Sequence, residues 1–456
     1  MTEQTITSPG AISIGHYDVV VVGGGSAGIA AALSASTWGA RVALVERYGF
    51  LGGNAVSAYV GTICGLYRDS TGDPVSGGLA RDWAASLMTG GNAFGPVPFK
   101  ATAVLIYVPW AFKRQADSWI QRSEVVPYLH SMVVDAEVEG GHLKAIVIAT
   151  KRGPMTITAE VFIDCSGDAD LASFAGCETV MAPAGERQMP SMQFLMGNVD
   201  FEKARTTALE AIPAGVEITP SAMSGAVTSM LTKLLVEHAG ENEWGLTRDS
   251  GALFPTFRPG EVLGAMTRIS ARRGGPPDMT DVKDATEAEF DGRQAAEKAH
   301  LFLKTFMPGF EASFLVDTPT QLGVRETRRT IGEHILTHDD VVGEGRFDDA
   351  IGCASWPEEF HWEGRHTDYV WLEEGTHYQM PYRMLISKGV DNLLVAGRCA
   401  SADSKATASS RVIATSMVQG QAAGTAAAIA TEKKVPVRGV DTDELRDRLL
   451  KQGAII

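Results

Sequence analysis

Hydrophobic and polar positions alternate along this chain in a few sharply bounded stretches. The β-type residues Tyr17, Val19, Val20, Val21 and Val22 predict a buried strand. A turn with Gly23, Gly25 and Gly28 follows, then an Ala-rich helix from Ile29 to Trp38 and a second strand, Arg41 to Val45, ending on Glu46. Leu79 to Met88 and Trp110 to Arg122 have helical periodicity; the rest of 65–112, rich in Gly, Pro and aromatics, reads as loop, and Val125-Val126 as a short strand. His130 to Val138, His142 to Lys151 and Met155 to Ile157, with glycine turns between, predict a β-meander. A buried strand, Val161 to Asp164, the turn Ser166-Gly167-Asp168 and a helix from Ala169 to Ala175 come next.

The texture changes after residue 185. MPSMQFLMGNVD reads as strand, Phe201 to Ile212, Ser224 to Ala239 and Thr280 to Phe306 as helices, and 378–386 as a strand. Near the end, a strand from Asn392 to Ala396 leads through Gly397-Arg398 and a polar loop into a helix from about Arg411 to Ala430. Gly420, Ala423, Gly424 and Ala427 give that helix a small-residue face that suits close packing.

The 456 residues, 45% hydrophobic and 21% charged, have ordinary globular composition and enough length for two domains or one large interleaved unit. A net charge of −15 argues against a nucleic-acid or anionic-membrane partner. Five scattered cysteines without a C-x-x-C pair suit a reducing compartment. The first sixteen residues lack a basic-then-apolar leader, and Ala422 to Ala430 is too short to span a bilayer, so the expectation is a cytoplasmic protein.

The chemistry begins at the glycine turn. In G-x-G-x-x-G spacing, Gly23 permits a tight turn, Gly25 lets backbone approach a pyrophosphate, and Gly28 lets helix and strand pack closely. The helix N-terminus, at Ser26 and Ala27, offers free N–H groups to phosphates, and Glu46 is placed to accept hydrogen bonds from a ribose 2′-OH. Strand, turn, helix and acid together predict dinucleotide binding. Gly52 and Gly53, with Arg47 and Asn54 beside them, allow a second close approach of backbone.

Four pieces share one plan: GGGSAG with Glu46, the meander closing on IDCSGDADLA, QLGVRETRR, and VAGRCAS…SSRVIATSMVQGQAAGTAAA. Together they resemble the FAD-dependent oxidoreductases of the glutathione-reductase type, near the fumarate-reductase-like flavoproteins. The resemblance implies an α/β fold: a Rossmann-like FAD-binding domain, parallel sheet plus meander, with a second, mixed α+β substrate domain. The FAD domain would take 17–65, 120–185 and 385–435; 1–16 would be a flexible tail, 66–119 an insertion, 186–384 the substrate domain, and 436–456 a C-terminal helix and tail. It implies FAD as cofactor, with Gly397 and Arg398 by the ribityl and pyrophosphate, Ser166, Gly167 and Asp168 by the adenine half, and Val133 or Val134 flanking the adenine. Arg411, Val412, Ile413 and Ala414 would turn the N-terminus of the last long helix toward the flavin. Many relatives have Gly-Asp where this chain has Gly397-Arg398, and the loop that often carries a histidine has Ser404 here.

A flavin dehydrogenase needs a substrate anchor and a base. Arg325, Arg328, Arg329 and Arg383 are candidate anchors, because guanidinium groups bind carboxylates bidentately; Arg411 could hold a substrate carboxylate or the flavin C2 oxygen. Ion pairing of Arg325, Arg328 or Arg329 with Glu326, Glu333 or the FAD phosphates is the structural alternative. His377, His361 and Tyr378 are the candidate bases. No histidine spacing indicates a metal, and Cys399 has no redox partner in the sequence. The expected reaction is hydride transfer between a small organic substrate and flavin N5. A flavin monooxygenase using O2 and a non-catalytic flavin-bearing binding protein stay open. Substrate, electron acceptor and oligomeric state do not follow from the sequence.

Overall fold

A computed structural model describes residues 12–212, 220–238, 244–364 and 366–456. Its central sheet has seven strands. Val126–Tyr128, Val42–Val45, Ile12–Val22 and Gly153–Asp164 lie side by side in parallel. Val19 to Val22 are flanked by Val42 to Val45 on one side and Val161 to Asp164 on the other, so the apolar run is buried on both faces.

Beyond Gly153–Asp164 the sheet forks. The first half of that strand pairs antiparallel with His142–Thr150, which pairs with Met132–Glu139 to complete the meander. Its second half pairs in parallel with Leu393–Val395, bringing the end of the chain back to the first domain. Met155 to Ile157 and Val161 to Asp164 are therefore one strand, not the two expected. Thr158, Ala159 and Glu160 between them contain no turn former, and the strand must be long enough to serve both partners.

The helix Ser26–Thr37 packs directly on the long helix Ile413–Lys433. A Cβ on Gly420 would stand 2.0 Å from the Ala27 carbonyl oxygen, and one on Gly424 2.1 Å from that of Ala31. The expected small-residue face thus has its partner.

A second core forms around an antiparallel sheet ordered Ala252–Pro255, Val262–Ala265, Phe194–Gly197, Phe314–Asp317. Helices Phe201–Glu210, Pro220–His238 and Val282–Phe306 supply apolar side chains to it, among them Leu231, Leu235, Phe302 and Leu303.

Several expectations are corrected. Residues 12–16, expected in the tail, extend the first strand against Met155 to Thr158; residues 1–11 lie outside the described residues. Residues expected as loop form the hairpin Ala93–Phe99 and Thr102–Tyr107. Pro96 and Pro98 disguise it, but they sit on an edge strand, where a missing N–H is tolerated. The loop expected after Arg398 contains the helix Ser404–Ser410, capped by Asp403 through Ala406 N–H at 2.7 Å. The strand expected over 378–386 stops at Pro381 and gives way to the 3-10 turn Tyr382–Leu385. The expected helix from Ser224 starts earlier, at Pro220, and is described to His238; Ala239 lies outside the described residues.

Candidate functional site

The strand ends, the glycine turn and the two packed helices surround one cleft of about 1100 Å³, measured out to its mouth. Gly23, Gly25, Ser26, Ala27, Glu46, Arg47, Gly53, Asn54, Val133, Ser166, Gly167, Gly397, Arg398, Arg411 and Ile413, all expected from the sequence, line it.

Its geometry is largely backbone. Gly28 cannot carry a side chain: its Cβ would stand 1.7 Å from the Gly23 carbonyl oxygen. Gly53, at φ +50, faces Gly25 so closely that a Cβ would reach to 2.8 Å from the Gly25 Cα. Neither helix end at the cleft has a side-chain cap or an acidic residue in its first turn. Free N–H groups and the positive helix ends are thus left for an anion at Ser26-Ala27 and at Ile413. The Ala414 N–H, by contrast, donates to the Cys64 carbonyl at 3.2 Å.

Glu46 is buried and accepts from Gly24 N–H at 2.6 Å and Tyr48 N–H at 2.9 Å. Burial pushes its pKa up, against those two hydrogen bonds. Each carboxylate oxygen keeps a lone pair for a ribose hydroxyl. The donors and acceptors fit a flavin dinucleotide: uncapped N–H groups for its pyrophosphate and a carboxylate for its ribose.

Four expected cofactor positions stand off the cleft wall: Gly28, which packs helix on strand, and Gly52, Asp168 and Val412. Gly52 donates its N–H to the Gly24 carbonyl at 2.8 Å and shapes the turn from behind. Asp168 faces Arg398, at 2.8 Å, and Thr327, at 2.8 Å; Asp170, two residues on, takes the wall position. Burial and the neighbouring Asp168 and Asp164 raise the Asp170 carboxyl to a pKa of about 6. Val412 caps the last long helix behind Ile413 and packs against the cluster of Val104, Ile106 and Trp356.

The candidate anchors part company. Arg325 donates to the Met189 carbonyl at 2.7 Å and Ser191 Oγ at 2.9 Å; Arg411 donates to Gln188 Oε1 at 3.2 Å. Both therefore hang on the same short segment, 188–191. Arg328 instead binds Asp168, Ser173 and Asp170, and Arg329 is buried against Glu326 and the Ala402 carbonyl. The reason is that 321–329 is no continuous strand: Gly323 makes a lone bridge to Ser191 and Arg329–Thr330 pair with Thr179–Val180, so the guanidiniums fan out in different directions. Arg383 is held bidentately by Asp349, at 2.9 and 3.1 Å, away from the cleft wall.

The candidate bases separate in the same way. Tyr378 is fully buried and hydrogen-bonded to Ser409 at 2.8 Å; burial raises its pKa. His377 lies beside Arg346 and Arg68, and burial first, then those cations, lower its pKa. His361 alone among the three enters the buried charged group that adjoins the cleft through Arg411. It contacts Glu359 Oε1 through Nε2 at 3.1 Å, and Glu359 also accepts from the Tyr369 hydroxyl at 3.2 Å.

Burial, then Arg325, pushes the His361 pKa well down. Burial alone would raise that of Glu359, but His361, Arg411 and Arg325 hold it far below the usual carboxylate range. An ionised carboxylate only accepts, so Nε2 carries the ring proton and Nδ1 keeps a lone pair. His361 Nδ1 is buried without a hydrogen-bond partner among the described residues.

Sequence reasoning missed Glu359, Arg248 and Arg268 in this group, and Tyr48, Ser131, Gln321 and Ser416 on the cleft wall. A usable signal existed for Glu359: two residues before His361 on an extended segment, it shares that residue's face. The arginines lie in 190–320, where the chain has no familiar motif.

Among solved structures, a geranylgeranyl bacteriochlorophyll reductase-like protein from Thermoplasma acidophilum is 13% identical, with 96% of this chain and 82% of that one covered and a TM-score of 0.48. The flavin-dependent brominase Bmp2 (13% identity, 96% and 83% covered, TM-score 0.45) and p-nitrophenol 4-monooxygenase PnpA from Pseudomonas putida DLL-E4 (10%, 96% and 85%, 0.46) are similar at the same remote level. Likeness this distant carries no reading of substrate or reaction. No curated protein matches the chain. A family profile described as FAD dependent oxidoreductase does match, over residues 18–449, and with the glycine-built cleft it establishes that this chain belongs to the FAD-dependent oxidoreductase family.

Proposed function

We propose that this enzyme is a dehydrogenase or reductase that moves a hydride between a CH–OH or CH–CH group of a small organic substrate and flavin N5. One observation carries the reading. Arg411 both lines the dinucleotide cleft and, through Gln188 and the Glu359 carbonyl at 3.5 Å, belongs to the buried Glu359–His361 group. An acid–base pair therefore adjoins the end of the cleft where the last long helix begins.

Bound FAD supplies hydride acceptance and donation at N5. The chain's own residues supply the proton chemistry. Glu359 fixes the His361 tautomer and orientation through Nε2–H, leaving Nδ1 to take a proton from a substrate hydroxyl or methylene. The depressed His361 pKa keeps the ring neutral at neutral pH, with the Nδ1 lone pair free. Arg325 and Arg411 offset the negative charge that develops on the substrate as the proton leaves. Trp356, Phe99 and Val412 form an apolar wall beside them that limits water.

The test is anaerobic titration of the FAD-loaded enzyme with hydroxy acids, saturated acids and other small alcohols, read by loss of the flavin's visible absorbance. Bleaching by substrate alone, with one substrate oxidised per flavin, is the expected result. Bleaching only by NAD(P)H, with oxygen appearing in the product in air, would instead make the enzyme a monooxygenase and overturn the proposal.

A further inference from the structure

We propose that the substrate carries a carboxylate, held at the inner end of the cleft by a nest of four buried or partly buried arginines: Arg248, Arg268, Arg325 and Arg411. This names the substrate class for the hydride-transfer site proposed above and rests on that reading.

The four come from distant parts of the chain and meet around 188–191 and 359–367. Arg325 and Arg411 are tied to Met189, Ser191 and Gln188. Arg248 and Arg268 both donate to Thr367 Oγ1, at 3.2 and 3.0 Å. Arg268 also donates to the carbonyls of Trp362, Gly364 and His366, at 3.0, 2.6 and 2.8 Å. It thereby positions that loop as well as lending charge.

Most of their anchors are neutral oxygens, which leave the positive charge in place. Three carboxylates face the group: Glu359, Asp249, which is paired with His366, and Asp368, which acts on Arg268. Glu326, which acts on Arg411, is occupied by Arg329, Ser404 and the Gln188 N–H. Four guanidiniums against three carboxylates still leave an excess of positive charge in a water-poor setting.

The hydrogen-bond inventory points the same way. Nε of Arg248, of Arg268 and of Arg411, together with Gln188 Nε2, are buried donors without a partner among the described residues. Arg248, Arg268 and Gln188 are each more than nine-tenths buried. Buried donors are almost always satisfied, and unpaired buried cations are strongly unfavourable. An anion with several acceptor oxygens answers both. A carboxylate fits better than a neutral carbonyl or a hydroxyl, which would leave the charge excess standing. The pyrophosphate of the dinucleotide is accounted for elsewhere, at Gly25 to Ala27. The cation at Arg411 opens on the cleft, so the carboxylate end of a substrate reaches the nest while its reacting carbon stays beside His361.

The experiment uses the oxidised FAD-loaded enzyme, and binding, not turnover, is read. Succinate, lactate and benzoate are titrated against their amides and against inorganic phosphate, by calorimetry and by the shift in the flavin spectrum. At least one acid should bind 100-fold tighter than its amide, and Arg248→Gln should weaken it tenfold or more with flavin content unchanged. Because Arg325 and Arg268 also brace loops, Arg411→Lys serves as the second variant; it should weaken the same acid while its melting temperature stays within a few degrees. Equal binding of acid and amide, binding of phosphate alone, or no carboxylate binding to a fully loaded enzyme overturns the carboxylate assignment. A loaded enzyme that binds the acid yet is reduced by no substrate leaves the nest standing and instead defeats the hydride-transfer reading.

Discussion

The two ends of the cleft are built from different materials. The dinucleotide end is made of main chain: Gly25 and Gly53 back to back, two uncapped helix ends, and Glu46 holding the turn. The inner end, reached through Arg411, is made of long side chains from six separated places: Gln188, Arg248, Arg268, Arg325, Glu359 with His361, and Arg411. A backbone-built site is specified by the absence of side chains at fixed spacing, so it is local and hard to replace. A side-chain-built site is specified by where loops end up. Its groups can change one at a time, which is how one fold serves many reactions.

The contrast can be broken most severely at the main-chain end. Gly28→Val has no room at 1.7 Å from a carbonyl oxygen and should separate helix from strand. The expected outcome is loss of flavin from the purified protein and destabilisation of about 3 kcal/mol or more, measured by absorbance and denaturant melting. A Gly28→Val enzyme that retains stoichiometric flavin would show that this end is less rigidly specified than its packing implies.

The inner end should respond with chemistry rather than folding. Glu359→Gln keeps the shape and loses the charge that orients His361; the expected result is normal flavin content with anaerobic reduction slowed about 10²–10⁴-fold. Unchanged reduction kinetics would remove His361 from the base role. Glu359→Ala should cost stability as well, about 3–5 kcal/mol, because the facing cations lose their internal partner.

The pH dependence sharpens the same division. His361 and Glu359 both have folded-state pKa values below their unfolded ones. Each therefore contributes stability that is full above its unfolded value, about 6.5 for histidine and about 4.3 for glutamate, and that is lost as pH falls. Asp170 acts oppositely: raised to about 6, it favours the folded state at low pH and loses that contribution as pH rises through 6. Urea melts of wild type and His361→Gln between pH 8 and 5 should show a steeper acid loss in the wild type. Parallel curves would mean that the histidine is not held neutral.

The smallest effect is expected at Arg383, a sequence-level anchor candidate that the structure pairs with Asp349. Half exposed, Arg383→Gln should change stability by about 1 kcal/mol and leave substrate reduction within twofold of wild type. A large loss of activity there would place the substrate on the other side of the molecule.

The main-chain half of the site was legible in the amino-acid sequence. The run Tyr17 to Glu46, the meander, the returning strand at Leu393 to Val395 and the small-residue face of the final helix follow from period, turn chemistry and spacing, and the structure places them around one cleft. These signals are local, because a glycine is required wherever backbone must meet backbone. Some local structure is hidden in the sequence: prolines mask the hairpin 93–107, and 153–164 is one strand where two are expected, because 158–160 contains no turn former. Which charged residues share a site is set by long-range packing. Arg325 and Arg329 are four residues apart, yet one joins His361 and the other is buried against Glu326, because 321–329 runs as irregular chain with no fixed period. Arg248 and Arg268 carry no motif and gain meaning only when Thr367 is brought to both. Long-range packing sets that meeting, and a one-dimensional pattern contains no distance between residues 120 apart.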